Sequence, residues 1–187
     1  MSQRIVLSLI LLGALLGGFA GASRADQKDK RLPALFDRLK TAPSSDAAAA
    51  IEQQIWAIWV EAGNPDLDKL MAAGEAAMGA QEYPRALDDF NRIVAKRPDF
   101  AEGWNRRATL YYLMGEYRKS LGDIARTLAL EPRHFGALSG LGLVNIKLER
   151  MEAAADAYRR YLEIDPQNQD ARDTLEMIDA VLKRKSI

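Results

Sequence analysis

Apolar positions in this chain recur with the period of a helix and, over a longer range, with a period of 34 residues. Ile51, Ile55, Ile58, Trp59 and Ala62 fall at i, i+4, i+7, i+8 and i+11, one face of a helix with 3.6 residues per turn. That stripe predicts a helix over 46–62, with Ser45 as its N-cap and Gly63 and Asn64 as its stop. Pro65 suits the first turn of the helix that follows, where its missing N–H does no harm. Upstream, Leu35, Phe36 and Leu39 predict a short helix over 33–40, broken by the segment 41–45. Residues 26–32 are charged and without apolar period, and read as a flexible lead-in.

From Leu67 onward the pattern repeats in three units, 67–100, 101–134 and 135–168. The eighth position of each is small (Gly74, Ala108, Gly142), and so is the twentieth (Ala86, Ser120, Ala154). Large side chains stand opposite: Leu70, Trp104 and Leu138 at the fourth, Tyr83, Tyr117 and Met151 at the seventeenth, Phe90, Ile124 and Tyr158 at the twenty-fourth. Small sites let two helices cross closely and large ones fill the space around them. Pro98, Pro132 and Pro166 end the second helix of each unit. Ala171, Leu175, Ile178 and Leu182 form a further stripe over 170–185, acidic early and basic late, which predicts a helix covering the open end of the stack. The helix at 46–62 is expected to cover the other end, with Trp56 and Trp59 buried against the first unit.

Spacing, small sites, aromatic sites and prolines together resemble the tetratricopeptide repeat, an antiparallel helix pair that stacks into a right-handed superhelix. The likeness covers Leu67 to Pro166, and the second unit carries it best. Residues 33–64 resemble a degenerate helix pair one period earlier. Units one and three depart at Ala77, Asn145 and Tyr161, where the family favours aromatic, aromatic and small residues; looser packing is expected there. The resemblance implies an all-α solenoid whose first helices line a concave groove that binds a peptide or helix of another protein.

Carried over position by position, the groove lining is Asp68, Met71, Ala72, Glu75 and Met78 in unit one. Unit two offers Glu102, Asn105, Arg106, Thr109 and Tyr112, and unit three Ser139, Leu143, Ile146 and Lys147. Asn105 can bond a peptide backbone through both its amide oxygen and its amide nitrogen. Some family members grip a terminal carboxylate with basic and amide side chains. Here those positions hold Met71, Glu75, Gly136 and Gly140, with only Arg106 cationic nearby, so no carboxylate clamp is expected.

The N-terminus changes the picture of where such a module works. Arg4 precedes an apolar run over 5–20, broken only by Ser8 and three glycines, and a small-residue exit follows. That is the layout of a secretory leader, with cleavage after Ala25 or, as a competing site, after Ala22. An uncleaved anchor is the rival, although the run is shorter than the ~20 residues that span a bilayer comfortably. The expectation is a periplasmic or secreted protein, or one tethered in the inner membrane and facing the periplasm. The whole chain is balanced at 26 basic and 26 acidic side chains; removing 1–25 leaves 24 against 26, a net charge of −2. Neither value argues for nucleic acid as a partner. Cysteine is absent, so no disulfide or thiolate chemistry is available.

Candidate chemistry is sparse. The single histidine, His134, follows Pro132 and reads as a solvated loop residue rather than a metal ligand. Gly136, Gly140 and Gly142 miss the dinucleotide fingerprint, because Asn145 stands at its last place and no strand precedes them. Asp88–Asp89 and Arg106–Arg107 read as solvated faces. No catalytic set, cofactor, metal or small-molecule substrate is expected, and the partner is a protein or peptide.

Overall fold

A computed structural model describes residues 27–185; the expected leader and its expected cleavage sites lie outside the described residues. Within them the chain forms nine α-helices and no strand: α1 Leu32–Lys40, α2 Ser45–Trp59, α3 Pro65–Gly79, α4 Tyr83–Lys96, α5 Ala101–Leu113, α6 Tyr117–Leu130, α7 Phe135–Lys147, α8 Met151–Ile164 and α9 Gln169–Lys185. Helices α3–α4, α5–α6 and α7–α8 are the three pairs, and α9 packs on α8. The stack is a helix-turn-helix solenoid, with α9 presenting Ala171 and Ile178 to the core.

The small positions act as expected. A Cβ on Gly74 would come 2.7 Å from Cε1 of the fully buried Phe90, and one on Gly142 would collide with the Tyr158 ring. At Ser120 the hydroxyl donates to the Ala108 carbonyl at 2.8 Å, so two small sites of one unit are tied directly.

Each turn inside a pair passes through the left-handed region at the fifteenth position: Gln81 (φ 61°), Gly115 (φ 74°) and Glu149 (φ 58°). The reversal lets the next N–H reach back into the first helix: Glu82 to Ala77, Glu116 to Tyr111 and Arg150 to Asn145, each at 2.8 Å.

The N-terminal pair departs from expectation. The cap of α2 is Ser44, whose hydroxyl accepts from Ala47 N–H, so the boundary lies one residue earlier than predicted. The helix stops at Trp59 because the Ala62 N–H turns away to the Asp68 carboxylate at 2.9 Å, while Arg97 donates to the Ala62 carbonyl. Trp56 and Trp59 do not pack on the first unit. They meet His134 and Phe135 at the start of α7, in a core shared by α1, α2, α7, α8 and α9. Glu52 of α2 accepts from the Tyr161 hydroxyl at 2.8 Å. The physical reason lies in unit three: its bulky Phe135 and Tyr161 and its bare Gly136 make a surface that complements two tryptophans. Tyr161, expected to loosen the packing, is buried by this contact.

Candidate binding groove

Helices α5 and α7 lie side by side because each opens its unit, and their small residues leave space between them. A cavity of about 230 Å³ lies there, lined by Asn105, Arg106, Thr109 and Tyr112 of α5 and by Gly136, Ser139, Gly140 and Leu143 of α7. Ile124 and Ser120 of α6 form its back and Trp56 of α2 its end wall. Six of the fourteen groove residues expected from sequence thus come together.

Four of the others behave differently. Met71 and Glu102 are buried, at 4% and 1% exposure, and support the groove rather than face a partner. Glu75 reaches across to Arg106 Nε at 3.1 Å. Met78 packs half-buried on the core of the first unit.

Beneath the cavity runs a buried polar chain that sequence reasoning missed. His134, expected in solvent, is fully buried. Its Nδ1 accepts from the Ala137 N–H at 3.1 Å and so caps α7. That contact assigns the proton to Nε2, which donates to Glu102 Oε2 at 2.9 Å. Asn105 Nδ2 donates to the same oxygen at 3.1 Å, so the amide nitrogen is already engaged and the oxygen is the end left for a ligand. Arg106 faces the other oxygen of Glu102 as an ion pair. A buried carboxylate is tolerable only when partnered in this way. The available signal was the 34-residue period itself: His134 occupies the place of Asn168, whose side chain caps α9 by accepting from Ala171 N–H.

Two other expectations of solvated charge are corrected. Arg107 makes a paired contact with Asp123, at 2.7 and 2.9 Å, and sits 4.9 Å from the Trp104 ring centroid. Asp89 is buried beside Arg92. In both, long stems or short acids are drawn into the crossing between helices.

Among the described residues no group of His, Asp or Glu could hold a metal ion, and no helix is long and apolar enough to cross a membrane. A larger hollow of about 460 Å³ between α1 and α2, lined by Arg31, Leu35, Arg38 and Glu61 among others, lies away from the groove.

The family model described as tetratricopeptide repeat matches residues 71–117 and 106–169, more than half of the chain. The chain belongs to the tetratricopeptide repeat family. A TPR repeat-containing protein of Rhizobium etli is 38% identical over 149 residues, covering 80% of this chain and 73% of that protein. The heat-shock protein cognate co-chaperone sgt12 of Aspergillus fumigatus is 28% identical over 135 residues, and the match spans 70% of this chain but only 40% of the co-chaperone. In structure, the tetratricopeptide domain of Sgt2 from Aspergillus fumigatus superposes with a TM-score of 0.62 at 25% identity, covering 66% of this chain and 83% of that domain. As a tetratricopeptide protein, the chain places α3, α5 and α7 as the first helices of its repeats. The cavity between α5 and α7 therefore lies between the first helices of the second and third repeats.

Proposed function

We propose that this tetratricopeptide protein is an exported interaction scaffold that receives a peptide or helix of a partner protein in its concave groove. The observation that carries the reading is the cavity between α5 and α7, whose lining mixes Tyr112 and Leu143 with Asn105, Thr109 and Ser139. Such a lining suits an apolar side chain flanked by peptide groups. A relative named as a heat-shock-cognate co-chaperone supports a protein as the partner class. The leader-like segment over 5–25 supports export.

The grip is not a carboxylate clamp. Arg106, the cation of the cavity wall, is engaged by Glu75 and Glu102. Those acids offset the field an acidic tail would need. A fluorescent peptide with an acidic C-terminus binds no tighter than millimolar on this reading; micromolar binding abolished by Arg106→Ala overturns that part of it.

Proximity labelling in the native cell tests the groove, with Asn105→Ala/Tyr112→Ala as the control chain. The double variant is expected to lose specific neighbours, and identical labelling by both forms refutes the groove as the site. The second reading is a membrane-tethered assembly factor, favoured by an apolar run over 5–20 that is long for a secretory leader. Intact mass separates the two: loss of 1–25 marks a free scaffold, and retention a tethered one.

A further inference from the structure

Trp56 is held differently from its neighbours on α2. Ile55, Ile58 and Trp59 are buried in the core, whereas Trp56 is half-buried at the cavity wall. Its ring lies on bare backbone: a Cβ on Gly136 would come 2.6 Å from Cη2 and 2.8 Å from Cζ2. Trp59, His134 and Phe135 meet it nearly at right angles, with centroids 5.5, 5.5 and 5.4 Å away. The Arg106 guanidinium lies 5.4 Å from its centroid. A bare floor, aromatic walls and a cation over the ring select a flat π-system.

Trp56 is also a partition. The cavity of about 230 Å³ on one side and another of about 270 Å³ toward Tyr158, Tyr161 and Asn168 share Trp56, Gly136 and Ser139 in their walls. Units one and two carry Asp68 and Glu102 at the position that is Gly136 in unit three. The floor is therefore bare only where this ring sits.

We propose that the Gly136 floor is an aromatic-accepting subsite, filled by Trp56 of the same chain, and that a partner presenting an indole or similar flat ring takes the seat by displacing it. The inference rests on the groove being the partner site. Helix α2 does not have to move, because Ile55, Ile58 and Trp59 hold it while rotation of the Trp56 side chain swings the ring outward. A tethered ring competes at high effective concentration, so the incoming ring binds with an affinity lowered by that occupancy.

The test uses the full chain and N-acetyl-tryptophanamide as the probe. Trp56→Ala is expected to bind it at least tenfold more tightly than the unchanged chain, and Gly136→Leu in that background to abolish the gain. Equal affinity of the unchanged chain and Trp56→Ala, or undiminished affinity in the double variant, overturns the proposal. If Trp56→Ala does not fold, Gly136→Ala decides the matter in a chain labelled with 5-fluorotryptophan, whose three tryptophans give three resonances. The added methyl is expected to move the Trp56 resonance to that of a solvated indole with Trp59 unmoved, and an unmoved Trp56 resonance refutes the seat. The probe reads the seat alone, so its failure is distinguishable from failure of the groove, which the Asn105→Ala/Tyr112→Ala labelling reads.

Discussion

Trp59 lies flat on His134, with ring centroids 4.1 Å apart and planes 10° from parallel. The imidazole is thereby placed between a helix it caps, a carboxylate it donates to and an indole that shields it from water. Removing it breaks all three relations at once. His134→Ala is expected to lower the unfolding free energy by about 2–4 kcal/mol, measured by urea denaturation. His134→Asn, which copies the Asn168 cap but does not reach Glu102, should recover about 1 kcal/mol of that loss.

The three turns inside the helix pairs share one backbone shape, yet only the middle one has glycine. Side chains at Gln81 and Glu149 are held at φ 61° and 58°, in the left-handed region. Replacing either with glycine should stabilise the chain by about 0.5–1 kcal/mol, and Gly115→Ala should cost about 1 kcal/mol. Thermal unfolding of the three single variants gives the sign directly.

Gly74 and Phe90 occupy one space. The methyl of Gly74→Ala would lie 2.7 Å from the ring, and the expected cost is about 1–3 kcal/mol. Adding Phe90→Leu makes room, so the double variant should lose less than the two singles summed, by at least about 0.5 kcal/mol.

The dependence of stability on pH carries two opposite signs. Burial holds the Glu52 carboxyl above its ordinary range; Tyr161 donation opposes this and Asp165 adds to it. A raised carboxyl contributes its full stability below the unfolded value of about 4.3 and loses it as pH rises through the folded value. Glu52→Gln should therefore raise the melting temperature at pH 7 and leave it nearly unchanged at pH 4. The hydrogen bond from Arg97 holds Asp99 below its ordinary range. Its contribution is present above the unfolded value of about 3.9 and is lost as pH falls through the lowered one. Asp99→Asn should flatten the acid limb of the profile. Melting curves from pH 3 to pH 8 check both.

The solenoid was legible because its determinants are local and periodic. Gly74 faces Phe90 and Gly142 faces Tyr158, pairs that a 34-residue register places without further information. The destination of α2 was not legible. An amphipathic stripe says which face of a helix is buried and nothing about what buries it. Tyr161, read as a departure from the repeat, and Gly136, read as an empty clamp position, are the residues against which α2 is fitted. His134 was misjudged for a related reason. Its partners Glu102 and Trp59 come from distant parts of the chain, and a residue after a proline in a connecting segment ordinarily faces water. Six of the fourteen candidate groove positions followed from position alone, since Asn105, Arg106, Thr109, Tyr112, Ser139 and Leu143 all line the cavity. Glu102 did not, because a carboxylate on a first helix is as well placed to anchor the layer below as to meet a ligand.

The N-terminal pair and the segment leading into it touch the stack at three separated places. Gln27 bonds to Asp99 and Ala101 where the first unit meets the second, Phe36 lies 4.0 Å beneath the Arg133 guanidinium at the end of the second, and Glu52 reaches Tyr161 in the third. A free solenoid is a spring, since each repeat touches only its neighbours and the ends can wind, stretch and melt independently. This brace runs along the spring and ties its coils to one another. The molecule should therefore resist extension as a rod does and come apart in one transition, with the third repeat no readier to fray than the first.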